Sequence, residues 1–175
     1  MTPGRVVDLH GFLLSADAPI LRDHVRAEAD RDAAYLSAYD RQTLFYDAFR
    51  PIGADHVILT APPFLNLWPL CRSGLRIDGH CPRTLRRRQF AQDEQIVLSV
   101  PARARISFRQ GDIETPIEVR QGEARAFAGL NCLLAVVKDE PLDWISNWFA
   151  YHHSAHRAEA AVLFDNGSAV YDAAT

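Results

Sequence analysis

Apolar residues change their spacing along this chain, and each spacing predicts a different element. Val6 to Leu14 reads as a short strand, followed from about Pro19 to Tyr46 by a helical region in which Ile20, Leu21, Val25, Tyr35, Leu36 and Tyr39 recur with loose periodicity. Arg50, Pro51, Ile52 and Gly53 break that pattern. Asp55 to Ala61 is then a run of apolar and β-branched residues ended by Pro62 and Pro63, as expected of a buried strand. Leu65 to Phe90 is irregular and punctuated by Pro69, Gly74, Gly79 and Pro82, with a short strand at Leu75 and Ile77. Gln95 to Val100, Ala104 to Arg109 and Pro116 to Arg120 follow at the rhythm of an antiparallel β meander.

The texture shifts at Gly122 to Gly129, a polar connector. Leu130 to Val137 is an apolar run without alternation, as in a parallel strand buried on both faces. Pro141 opens a helix where its missing N–H costs nothing, with Asp139 and Glu140 near the positive end of the helix dipole. Leu142, Ile145, Trp148, Phe149 and His152 recur at helical spacing and predict one face packed on a sheet. Ala160 to Phe164 is a second apolar run, so the segment reads as a βαβ unit with a right-handed crossover. The expected fold class is therefore mixed, α+β to α/β: a β-rich module over 1–125 that includes a helical segment, then a βαβ over 126–175.

A chain of 175 residues, 48% of them hydrophobic, is long enough for an ordinary domain. The formal net charge of −3 offers no electrostatic case for nucleic acid. Arg83, Arg86, Arg87 and Arg88 form a local basic cluster, read as a solvated loop. Cys71, Cys81 and Cys132 fit neither a CxxC pair nor a zinc ribbon, and a reduced, cytoplasmic protein is the simplest expectation. No apolar run nears the ~20 residues of a membrane span, and Asp8 and His10 interrupt the N-terminus where a signal peptide needs an apolar core.

The candidate chemistry sits at the strand ends. Ligands of open α/β sheets bind outside the carboxyl ends of the strands, so Lys138, Asp139 and Glu140 after the first strand should converge with Asp165, Asn166 and Ser168 after the second. Carboxylates there can accept hydrogen bonds from a nucleobase N–H or ribose hydroxyls, and Asn166 can both donate and accept. Gly167 permits a positive φ, and Ser168 is suited to capping a following helix. His152 and His156 are spaced to chelate a metal, but no H-E-x-x-H pattern or third ligand accompanies them, and helix packing is the stronger reading. Trp144, Trp148 and Phe149 read as core; Phe64 and Trp68 are the better candidates for sugar stacking, although core is again favoured.

Trp144, Ile145, Trp148, Tyr151 and His152, in the form W-I-x-x-W-x-x-Y-H, together with the D-N-G-S of Asp165, Asn166, Gly167 and Ser168, carry a family resemblance. Over about residues 130–168 the chain resembles the start of a GT-A glycosyltransferase domain, specifically bacterial relatives of families 2 and 92. The β-rich module looks like the leader that often precedes that domain. The resemblance implies nucleotide-sugar-dependent transfer, with a UDP-sugar as donor and a glycan or other acceptor, as in polysaccharide biosynthesis. It makes Asp165 the leading nucleotide contact, with Lys138 aimed at a diphosphate or a neighbouring carboxylate and with Asp139 and Glu140 lining the pocket or capping the helix.

In that family a later D-x-D motif holds the divalent metal, manganese or magnesium, and a further carboxylate serves inverting members as base. Neither follows Ser168 here, and Asp30-Arg31-Asp32 lies far upstream, where it reads as a solvated face. The expectation is an N-terminal portion, inactive alone and without catalytic residues of its own, completed by a missing C-terminal domain or masked by self-association. The alternative reading is a non-catalytic β-rich interaction or carbohydrate-recognition module.

Overall fold

The computed structural model describes residues 5–170. In chain order its elements are β1 (Phe12–Leu13), α1 (Ala33–Ala38), β2 (Thr43–Phe45), β3 (Asp47–Arg50), β4 (His56–Ala61), α2 (Trp68–Gly74), β5 (Leu75–Ile77), β6 (Leu85–Gln89), β7 (Glu94–Ser99), β8 (Ile106–Gln110), β9 (Ile113–Ile117), β10 (Arg120–Gln121), β11 (Cys132–Val137), α3 (Leu142–His156) and β12 (Ala160–Asp165). The protein is mixed α/β, mostly strand with few helices. Leu9–Gly122 forms one compact unit; among the described residues, 5–8 and 123–170 form the other.

In Leu9–Gly122, a five-stranded sheet has the order β10-β3-β4-β7-β6 and a three-stranded sheet the order β5-β8-β9, with β1 and β2 paired separately. Every pairing is antiparallel except that of β10 with β3. Strand alternation builds the core: Val57, Leu59 and Ala61 of β4 and Ile96 and Leu98 of β7 are fully buried, while their neighbours are only partly so. Phe45, Phe64, Leu67, Cys71, Leu75 and Phe108 complete it. Burial pushes the Cys71 thiol well above its ordinary pKa, so this cysteine is a packing residue.

Several expectations are corrected here. The strand expected from Val6 to Leu14 is reduced to Phe12–Leu13. The helical region from Pro19 to Tyr46 contains only α1 and a 3-10 turn at Glu28–Asp30, and ends in strand β2. Arg22 is the physical reason: its guanidinium is 2% exposed and donates to the carbonyls of Pro63 (3.0 Å), Asp40 (3.0 Å) and Thr43 (2.6 Å). A buried charge so anchored holds the segment around it out of a continuous helix, against its loose helical periodicity. The Asp30-Arg31-Asp32 motif is also accounted for locally, since Asp32 is the N-cap of α1 and accepts from the Tyr35 N–H at 2.7 Å.

The meander holds only in part. β8 and β9 form a hairpin through Gly111, at φ 60°, but β7 and β8 belong to different sheets. The irregular 65–90 segment hides α2 and β6. Of the basic cluster only Arg83 lies in a loop: Arg86, Arg87 and Arg88 lie in β6, at the edge of the five-stranded sheet.

Gly74 ends α2 against β8. A Cβ at this position would clash with the buried Phe108 ring and lie 2.9 Å from the Arg109 carbonyl oxygen, a backbone atom of β8. Gly74→Ala is therefore expected to destabilise the chain by about 1–3 kcal/mol through overpacking, read as a lower denaturant midpoint.

Beyond Glu123, β11 and β12 pair in parallel in register from Cys132↔Ala160 to Val137↔Asp165, and α3 connects them. The helix ends with Arg157 at φ 56°, and the ring Nδ1 of His153 meets the Ala158 carbonyl at 2.7 Å. At the opposite strand ends, Asn131 joins Arg157, Glu159 and Ala160 through its carbonyl, its N–H and its side chain. The unalternating run 130–137 is not buried on both faces. Leu133, Ala135 and Val137 are half-buried, whereas Leu134 is 68% and Val136 71% exposed. On α3, Ile145, Trp148, Phe149 and His152 are half-buried, but Leu142 and Trp144 are exposed, so Trp144 is not core.

Candidate functional site

The polar residues that follow β11 and β12 come together because the strands are parallel and in register, which leaves both carboxyl ends at one edge of the pair. Asn166 prolongs the ladder by donating its N–H to the Val137 carbonyl (2.8 Å). Gly167 then turns the chain at φ 74°, a left-handed conformation that glycine adopts without a Cβ clash. That turn brings Ser168 back over Asp165: the Ser168 N–H lies 3.2 Å from each carboxylate oxygen, and its hydroxyl donates to Asp165 Oδ1.

Ser168 Oγ is also the acceptor for the Asp139 N–H at 2.9 Å, and so bridges the two strand ends. Asp139 has φ 53°, and its Oδ1 accepts from the N–H groups of Ala169 (2.6 Å) and Val170 (3.2 Å). An aspartate is among the few side-chain-bearing residues that tolerate this backbone region, because its short carboxylate can hydrogen-bond locally. One serine hydroxyl thus joins the Asp139 backbone N–H to the Asp165 carboxylate, while the Asp139 carboxylate is held by the 169–170 backbone; both aspartates are exposed.

Of the six residues singled out from the sequence, Asp139, Asp165, Asn166 and Ser168 share this hydrogen-bonded turn. Lys138 and Glu140 flank it and are exposed; among the described residues neither has a side-chain hydrogen bond or ion pair. The capping role of Asp139 and Glu140 is corrected. Pro141 is itself the N-cap of α3 and no side chain caps that end, because Asp139 is turned to the 169–170 backbone and the only acidic residue of the first turn is Asp143. Ser168 caps no helix within the described residues; its hydroxyl serves the Asp139–Asp165 link, and the helix expected after it lies outside them.

His152 and His156 have ring centroids 5.2 Å apart, but among the described residues no group of three His, Cys, Asp or Glu side chains converges on a common metal position. The divalent metal implied by the resemblance therefore has no ligand set among these residues. Phe64 is fully buried and is not a stacking platform. Trp68 is half-buried, with the Arg87 guanidinium 4.4 Å from its ring centroid.

The feature that sequence reading missed is this Arg87 and its partner. Glu94, 3% exposed, accepts from Arg87 Nε at 2.5 Å and Nη2 at 2.7 Å, and from the buried Phe64 N–H at 3.2 Å. The Arg83–Arg88 cluster is thereby divided: alternation along β6 sends Arg87 to the core side with Leu85, and Arg86 and Arg88 to the opposite face. The sequence L-R-R-R-Q carries no alternation that would have separated Arg87 from its neighbours.

No helix among the described residues is long and apolar enough to cross a membrane. No protein-family model, curated protein or solved structure matches the chain.

Proposed function

We propose that the β11-α3-β12 segment is the opening βαβ of a GT-A-type, nucleotide-sugar-dependent glycosyltransferase domain, preceded by Leu9–Gly122 as a β-rich leader. The observation that carries this reading is the Asp139–Ser168–Asp165 link across the carboxyl ends of two parallel strands. It preorganises two exposed carboxylates beside the Asn166 amide, a donor and acceptor set suited to nucleobase N–H and ribose hydroxyl groups. Lys138, exposed at the same edge, supplies a positive charge for a diphosphate.

In this reading the chain provides the nucleotide half of a UDP-sugar site and no catalytic residue. The divalent manganese or magnesium, the catalytic base and the glycan acceptor belong to the part of the domain beyond these strands. The free Cys71, Cys81 and Cys132 agree with a reducing, cytoplasmic setting, where nucleotide sugars for polysaccharide biosynthesis are used.

The test is an NMR titration of the chain with UDP and UDP-sugars, with and without manganese, following the amides of Asp139, Asp165 and Ser168. Metal-independent shifts confined to those residues are expected, and Asp165→Ala should weaken binding at least about tenfold. Unchanged affinity in that variant would remove Asp165 from the site.

A second reading, a non-catalytic interaction or carbohydrate-recognition module, is favoured by one observation. Leu9–Gly122 has a continuous buried core of its own, from Leu14 to Ile117. A folded chain that stays silent towards every nucleotide supports it.

A further inference from the structure

A groove in Leu9–Gly122 runs between α2 and the segment leading into β6, with Trp68, Arg72, Pro82, Arg83, Leu85 and Arg87 among its walls. Its charge is unbalanced. Arg87 is neutralised by its bidentate contact with Glu94, but Arg72 and Arg83 are exposed and, among the described residues, have no hydrogen-bond or ion-pair partner. No acidic residue lines this groove. The remaining wall is aromatic and apolar, and its shape is preset: the Glu94-held guanidinium of Arg87 stacks on Trp68, and Trp68 packs on buried Phe64 with ring centroids 5.8 Å apart.

We propose that this groove is a recognition site for an anionic sugar ring, one bearing a carboxylate or a phosphate. The two unpaired guanidiniums supply the fork that pairs bidentately with such a group. Trp68 with Pro82 and Leu85 supplies an apolar wall against which the C–H face of a sugar ring packs. A long polyanion such as nucleic acid is disfavoured, because the chain carries a net charge of −3 and alternation turns Arg86 and Arg88 away from the groove. The site is independent of the strand-end carboxylates and does not rest on the transferase reading.

The experiment is a titration of the full chain, following the Trp68 indole N–H by NMR, with trigalacturonate, maltotriose, glucose 6-phosphate and a short single-stranded oligonucleotide. Trigalacturonate should shift the Trp68 resonance and bind at least about tenfold more tightly than neutral maltotriose, with affinity falling as salt is raised. The double substitution Arg72→Gln with Arg83→Gln should abolish that preference while leaving the melting temperature unchanged, since both side chains are exposed. Arg83→Lys, which keeps charge but loses the fork, should retain part of it. Equal or tighter binding of glucose 6-phosphate through the same residues supports the site and assigns it to free sugar phosphates; trigalacturonate binding alone assigns it to acidic glycans. Equal binding of maltotriose, full affinity in the double variant, tighter binding of the oligonucleotide, or no response at Trp68 would each overturn the proposal.

Discussion

Replacing Arg22 with methionine is expected to lower the unfolding free energy by about 3–5 kcal/mol. The loss is large because the guanidinium is a junction. Its three donating nitrogens reach carbonyls from three separated positions, Asp40, Thr43 and Pro63, while its own backbone N–H and C=O pair with Arg41. Burial lowers the pKa of Arg22 and nearby Asp40 opposes that shift, and the fold tolerates the charge because each guanidinium nitrogen has a carbonyl partner. Methionine fills much of the volume but leaves three carbonyls without their donors. Urea titration of the two proteins measures the difference as a fall in midpoint at constant slope. A stability within about 0.5 kcal/mol of the parent would show that water replaces the guanidinium freely, and that another contact keeps the 19–46 segment from forming a continuous helix.

Glu94→Gln is expected to cost about 2–4 kcal/mol at neutral pH and to remove a pH dependence from the fold. Burial raises the pKa of Glu94, but hydrogen bonds from Arg87 and from the Phe64 N–H outweigh it, and the net shift is downward. A carboxylate whose folded-state pKa is depressed contributes stability that is fully present above its unfolded value, about 4.3, and is lost as pH falls through the lower folded value. The parent should therefore lose stability more steeply than Glu94→Gln below about pH 4.5, and the two curves should converge in acid. Parallel curves across that range would mean that Arg87 contributes packing over Trp68 rather than charge pairing.

How much of this could be read from the sequence depended on how local each determinant is. The β11-α3-β12 unit was legible because two apolar runs flank a helix-period segment within about 35 residues, and a parallel pair can be closed only by such a crossover. The convergence of Asp139, Asp165, Asn166 and Ser168 followed from that topology. Their hydrogen bonds did not, since the Asp139–Ser168 contact depends on the strand register and on the positive φ at Asp139 and Gly167. The exposure of Leu134 and Val136 was likewise hidden, because an apolar run reads the same whether one face or two are covered.

The sequence alone carried a β-rich first part, strands over 55–61 and 95–100, the βαβ built on the runs 130–137 and 160–164, and the polar character of its strand ends. Periodicity, proline punctuation and the short range of those interactions suffice for such features. It took long-range contacts to part β7 and β8 into different sheets, to keep residues 19–46 mostly irregular, and to turn the arginines of β6 opposite ways. Each of these outcomes rests on partners far along the chain: β4 for β7, β5 for β8, the Pro63 carbonyl for Arg22, Trp68 for Arg87. Local preference is worth tenths of a kcal/mol per residue, whereas breaking the contacts of one buried, hydrogen-bonded charge costs several, and these stronger long-range interactions chose the fold.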